Sequence, residues 1–144
     1  PDVARISVTN IDNTPGIAFK LFSKLAQKGI NVDIILQSVG RDGTKDITFS
    51  VPKDDGKTAV ESLEAMKDSL NFHKIALDES VAKVSIVGAG MESHPGVASK
   101  MFEALYDANI NLRMISTSEI KISVLIDAEY ADKAVKAVHD KFID

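Results

Sequence analysis

The chain has no cysteine and no tryptophan, and only two tyrosines, six phenylalanines and four prolines in 144 residues. Without cysteine there is no disulfide framework and no thiolate chemistry, which fits a reducing, cytoplasmic setting. Without a metal-ligand pattern of Cys and His no structural zinc site is expected, and the three histidines, His73, His94 and His139, share no spacing. No apolar run approaches the roughly 18 residues that span a bilayer, and no signal-peptide pattern precedes the first alternating segment, so no membrane association is expected. The chain opens at Pro1 rather than at methionine, as a processed chain or a fragment does. The formal net charge of −4 argues against a nucleic-acid grip, which needs a basic face. Walker loop and nucleophile elbow are both missing. Gly88-Ala-Gly90 begins like a dinucleotide fingerprint, but Ser93 stands where the third glycine is needed. No catalytic residue, metal or cofactor is expected.

What the chain does have is a repeat. Residues 13–38 align without a gap on residues 93–118, a shift of 80. Pro, Gly, Ala, Lys, Phe, Leu, Ile, Asn and Ser recur in register, and Ile17/Val97, Leu21/Met101, Val32/Leu112 and Ile34/Met114 exchange one apolar side chain for another. The run from Val3 matches that from Val81, and Ile47 to Val51 matches Ile122 to Ile126. A repeat of this length is a domain rather than a solenoid unit. Each half is small for an independent core, so the halves are expected to bury surface on each other or on a second chain.

Each copy shows the same periodicities. Ala4, Ile6 and Val8 alternate with polar residues as a half-buried strand does. Pro15-Gly16 then opens a segment with Ile17, Ala18, Leu21, Phe22 and Leu25 on one helical face, and Gly29 closes it. Ile30, Val32, Ile34 and Leu36 alternate again, the stretch from Gly40 to Gly43 is a turn, and Ile47, Phe49 and Val51 form the next strand. Val60, Leu63 and Met66 mark a second helix before a short strand near His73. The order is βαββαβ. The second copy repeats it with a hairpin five residues shorter and with no clear final strand. The fold class expected is α+β: two ferredoxin-like βαββαβ domains in tandem, residues 1–78 and 79–144, with antiparallel sheets and helices on one face. The second domain's last strand is missing or comes from another segment. A bare sheet face and open edges point to a homodimer.

The strand-to-helix turn carries the chemistry. Both copies have x-Pro-Gly there, Thr14-Pro15-Gly16 and His94-Pro95-Gly96. Proline is suited to the first helical position and glycine lets a ligand approach the backbone. The free N–H groups of the first turn then seat a carboxylate. Polar residues follow on the next strand: Asn31, Gln37 and Ser38 in copy one, and Asn111, Ser116, Thr117, Ser118 and Glu119 in copy two. A carboxylate seat beside acceptors for an ammonium group outlines an amino-acid site. An RNA-recognition module shares the element order, but its sheet would show aromatics and basic residues that these strands lack.

The repeated βαββαβ order with x-Pro-Gly after strand one resembles a tandem pair of ACT domains. The runs from Val87 to Val97, from Ile115 to Ile126 and from Asp46 to Pro52 resemble, more narrowly, the regulatory region of bacterial aspartate kinase. The Ser116-Thr-Ser-Glu-Ile-Lys-Ile-Ser-Val124 stretch is the most specific piece. The resemblance implies feedback sensing of end-product amino acids for an enzyme that phosphorylates aspartate, with this chain being either the regulatory β subunit beside a catalytic α subunit or the matching C-terminal fragment of such an enzyme. It implies effector contacts at Asn13, Thr14, Pro15, Gly16, Ile17, Ala18, Asn31, Gln37 and Ser38. In copy two they fall at Ser93, His94, Pro95, Gly96, Val97, Ala98, Asn111, Ser116, Thr117, Ser118 and Glu119. Lysine-sensing members carry an acid ahead of the Pro-Gly where this chain has Asn13-Thr14. L-threonine is therefore the expected effector and L-lysine the second candidate. A tandem ACT sensor serving a different enzyme or a transcriptional regulator is the alternative.

Overall fold

A computed structural model describes residues 2–40, 42–87, 96–118 and 121–142. Its elements are β1 (Asp2–Asp12), α1 (Ile17–Gln27), β2 (Ile35–Val39), β3 (Thr44–Pro52), α2 (Gly56–Glu64), α3 (Lys67–Leu70), β4 (Lys74–Val87), α4 (Val97–Asp107), β5 (Met114–Thr117), β6 (Lys121–Asp127) and α5 (Ala131–Phe142). The chain divides into two compact units: Val3–Glu79, and Ser80–Asp144 together with Pro1–Asp2.

In the N-terminal unit the strand order is β2-β3-β1-β4, with β1 and β2 each antiparallel to β3. Ile6, Val8, Ile47, Phe49 and Val51 point to one face and are buried with Leu21, Leu25 and Leu63 of the helices. Each of these large side chains contributes about 1.5–3 kcal/mol on burial. The Phe22 and Phe49 rings meet edge to face, with centroids 5.5 Å apart, and so hold α1 over β3. The register slips between Val8 and Ile11, where Asn10 adopts φ 53° and donates its N–H to Asp46 Oδ1 at 2.9 Å. That bulge turns Ile11 into the core, a position that simple alternation would have given to Asn10.

α1 ends as the sequence implies. Gly29 sits at φ 73°, its N–H reaching Ala26 O at 3.0 Å while Ile30 N–H reaches Leu25 O at 3.0 Å. This pair of bonds is the Schellman arrangement. Asn109, at φ 59°, does the same for α4, with Ile110 N–H on Leu105 O at 2.9 Å.

Two expectations need adjusting. Residues 30–34 are not strand. Ser50 holds the end of this stretch instead, its Oγ accepting from Ile34 N–H at 3.0 Å and its carbonyl from Asp33 N–H at 3.0 Å, and β2 starts only at Ile35. The short strand near His73 is the start of the 14-residue β4, whose first part belongs to the N-terminal unit and whose later part opens the second.

The C-terminal unit has the order β4-β6-β5, again antiparallel. Val84, Ile122, Val124 and Ile126 pack with Met101, Leu105, Ala134 and Val138 of α4 and α5. Among the described residues no strand follows α5. The opposite face of β6 is not bare, because Ser123 and Leu125 are buried as well. Ser123 Oγ lies 2.7 Å from Ser85 Oγ. Among the described residues no helix is long and apolar enough to cross a membrane.

Candidate functional site

The x-Pro-Gly turn has a definite geometry in copy one. Gly16 is the N-cap of α1 at φ 91°, ψ −13°, and Ile17 N–H bonds to Thr14 O at 3.3 Å. Thr14, Pro15, Gly16 and Ile17 thus form a type II turn, whose third position requires positive φ and hence glycine. Proline precedes the N-cap rather than opening the helix. It sets the second position of that turn, and the expectation that it occupies the first helical position is corrected accordingly. The first helical bond runs from Lys20 N–H to Gly16 O at 3.0 Å.

Copy two repeats the feature. Gly96 has φ 100°, ψ −7°, and Lys100 N–H bonds to Gly96 O at 2.8 Å. Neither helix start carries a side-chain cap or an acidic residue in its first turn. The early N–H groups of a helix have no partner within the helix, and their dipole favours an anion. A Cβ added at Gly16 or Gly96 would meet nothing within 4 Å, so the backbone there is open to approach.

Around this turn, Asn13, Thr14, Pro15 and Gly16 are exposed, Ala18 is half-buried and Ile17 belongs to the core. Asn13 N–H is tied to Gly43 O at 3.0 Å, which holds the turn against the β2–β3 hairpin. Asn31 is exposed beyond α1. Gln37 and Ser38 lie on β2, opposite Ile47 and Asp46 respectively. Consecutive strand residues face opposite sides. Gln37 therefore shares the helix-bearing face with Ile47, and Ser38 looks the other way. The structure does not bring these two together.

In copy two, Val97 and Ala98 are half-buried and Asn111 is exposed. Thr117 pairs with Ile122 on the helix side, Ser116 with Ser123 on the other, and Ser118 N–H reaches Lys121 O at 2.7 Å. Thr117 is thus the counterpart of Gln37. Ser93, His94, Pro95 and Glu119 lie outside the described residues.

Ser38 does line a polar cavity of about 290 Å³ at the hairpin end of the N-terminal unit, with Asn10, Asp42, Thr44, Lys45 and Asp46 around it. Hydrogen bonds from the Thr44 hydroxyl, the larger cause, and from its N–H hold the Asp42 carboxyl below its usual range. In the C-terminal unit an apolar cavity of about 490 Å³ between β4 and α5, lined by Val84, Ile86, Val135 and Phe142, contains none of the expected site residues. Among the described residues no group of three or more His, Cys, Asp or Glu could hold a metal ion.

Two residues were passed over in the sequence. Lys45 is in phase with Ile47, Phe49 and Val51, and a lysine in a core phase is the signal that could have found it. Asn71, at φ 52°, donates its amide to the carboxylate of Asp12, a long-range pairing with no sequence signal.

A family model described as ACT domain matches residues 6–66 and again residues 84–142. The fold and its paired turns are those of a tandem ACT protein. The regulatory subunit of aspartate kinase from Thermus thermophilus, in a ligand-free form, superposes with a TM-score of 0.90 at 44% identity, covering 98% of this chain and 93% of that one. A crystal structure of aspartokinase alpha and beta subunits matches with the same TM-score of 0.90 at 43% identity, over 99% of this chain and 94% of that one. The aspartokinase of Corynebacterium efficiens is 49% identical over 141 residues, which is 96% of this chain and 34% of that protein. The chain belongs to the ACT-domain family, among the regulatory regions of aspartokinases. It spans about a third of the length of the curated relatives it matches.

Proposed function

We propose that this chain is the amino-acid-sensing part of an aspartate kinase, lowering that enzyme's activity when an end-product amino acid accumulates. The observation that carries the reading is the pair of uncapped helix starts, each opened by a glycine at φ near +90° to +100° on an x-Pro-Gly turn. Each can receive an α-carboxylate at its first-turn N–H groups. In the N-terminal unit Gln37 and Asn31 face the ligand's side chain and ammonium group, and in the C-terminal unit Thr117 and Asn111 stand in the matching places. L-threonine is the effector proposed. A small polar side chain suits a site whose turn offers Asn13 and Thr14 in place of an acid, and L-lysine is the second candidate.

The working assembly is a homodimer bound to a catalytic α subunit in the cytoplasm. All five residues of β2 are exposed along an edge, including Ile35, Leu36 and Val39, and none is charged. Such an edge invites pairing with a second copy. An effector seated near that edge shifts the assembly between two arrangements by its difference in affinity for them, a coupling of about 1–3 kcal/mol in ordinary cases.

Calorimetric titration of the purified chain with L-threonine and with L-lysine tests the proposal. Saturable threonine binding supports it. If neither amino acid binds, alone or with an aspartate-kinase catalytic subunit added, the reading fails. A tandem sensor serving another enzyme would instead respond to a different amino acid.

A further inference from the structure

We propose that the apolar groove between β4 and α5 of the C-terminal unit is a strand acceptor, and that its occupant is the stretch of the same polypeptide that follows α5. The two copies differ at this place. In copy one the chain leaves its helices and returns beside β1 as the first part of β4. There His73 N–H bonds to Thr9 O at 2.9 Å and Arg5 meets Asp78 at 3.1 Å, so the two strands run antiparallel. Ile75 and Leu77 of the returning strand pack against the core. Leu77 lies so near the start of α2 that a Cβ on Gly56 would come within 3.0 Å of its Cδ1. In copy two the later part of β4 stands where β1 stands in copy one, with β6 along one side of it from Val81 to Val87. Among the described residues no strand returns after α5 to lie beside Val84 and Ile86. The cavity of about 490 Å³ opens there, lined chiefly by Val84 and Ile86 of β4 and by Val135, Val138 and Phe142 of α5.

Aligned positions show what the groove lacks. Beyond the shorter hairpin the copies align as Ile47 does with Ile122, so Val60 and Leu63 of α2 fall on Val135 and Val138 of α5. Val60 packs against the N-terminal core and Leu63 is fully buried. Val135 belongs to the same helical stripe as the buried Ala134 and Val138, yet it is 56% exposed. A strand laid along β4 with aliphatic side chains at alternate positions, as Ile75 and Leu77 are placed in copy one, covers it. Main-chain bonds to the free side of β4 then supply the attachment, and the apolar groove selects the side chains. The source follows from the course of the chain. α5 ends at Phe142, which itself lines the groove, so the residues that come next start at its mouth. This inference is independent of the effector reading above.

Amide hydrogen exchange and thermal unfolding are compared for residues 1–144 and for the same chain carried on through the residues that follow Asp144 in the natural polypeptide. In the longer chain the amides of residues 84–87 that do not bond to β6 should exchange roughly tenfold more slowly or better, and the melting temperature should rise. Val135→Asp, at a position exposed in the shorter chain, should leave that chain's melting temperature within about 2 °C and cancel the added protection in the longer one. Replacing the aliphatic residues of the added segment by aspartate gives the same reading without touching α5. Equal exchange in the two chains overturns the proposal, as does a natural polypeptide that ends at Asp144. Protection that appears in the shorter chain only as its concentration rises puts a second copy in the groove and overturns it too.

Discussion

The side-chain amide of Asn71 reaches both carboxylate oxygens of Asp12, at 3.2 and 3.1 Å, across 59 residues of sequence. Asp12 is the last residue of β1, and Asn71 follows α3 in a left-handed conformation between the buried Leu70 and Phe72. The contact ties the start of the x-Pro-Gly turn to the chain that enters β4. Asn71→Ala removes this bond and places alanine at φ 52°. We expect an unfolding free energy lower by about 1–2 kcal/mol, read from urea denaturation. Asn71→Gly, which accepts that backbone angle, should lose less.

Gly16→Asp should abolish threonine binding at one site by placing a negative charge in the carboxylate seat. Space is available for the new Cβ, so the cost to the fold is the strain of positive φ, about 1–2 kcal/mol. Calorimetry and a thermal melt on the same sample separate the two effects.

Because Gln37 and Ser38 face opposite sides of β2, their substitutions should differ. Gln37→Ala is expected to weaken threonine binding by roughly fivefold or more, the worth of one hydrogen bond, whereas Ser38→Ala should leave it within about twofold. Equal losses from the two would show that the ligand reaches around the edge of the strand.

The edge of β2 supplies a prediction about assembly. Leu36→Lys introduces a charge at an exposed edge position without touching the core, and should hold the chain as a monomer in sedimentation experiments at concentrations where the parent chain is expected to sediment as the proposed dimer.

In the C-terminal unit Lys141 bridges Glu103 and Asp107 of α4, tying α5 to it. The hydrogen bond and charge of Lys141 hold the Glu103 carboxyl below its ordinary range, and Glu103 in turn raises the Lys141 ammonium above its own. A lowered acid contributes stability above its unfolded value, and that contribution fades as pH falls through the folded one. A raised base contributes below its unfolded value and loses the contribution as pH climbs through the folded one. The difference in melting temperature between the parent chain and Lys141→Met should therefore be level through neutrality and shrink at both extremes. Being exposed, it should also shrink in high salt.

The fold was legible because local patterns and global architecture agree. The repeat shifted by 80 residues, the alternation of Ile47, Phe49 and Val51, and the spacing of Ile17, Leu21 and Leu25 each state an element and its buried face. Gly29 announced the end of α1 because only a residue at ease with positive φ closes a Schellman turn. Less legible was anything that depends on which strand lies beside which. Residues 30–34 alternate like a strand, yet Ile30 bonds back to Leu25 and Ser50 takes the N–H groups of Asp33 and Ile34, and the bulge at Asn10 changes the phase of β1 so that Ile11 turns inward.

The candidate site divides along the same line. Sequence alone determined the x-Pro-Gly turns, their duplication and the polar residues that follow them, because these are local: a type II turn ahead of a helix needs glycine whatever surrounds it. Tertiary structure alone decided that Gln37 and Ser38 part company, that Asn71 meets Asp12, and that most of Lys45 is covered on β3. Those are relations between distant segments, set by strand register and by the seating of α1 on Phe49. A pattern along one segment carries no information about the neighbour that packing will bring to it.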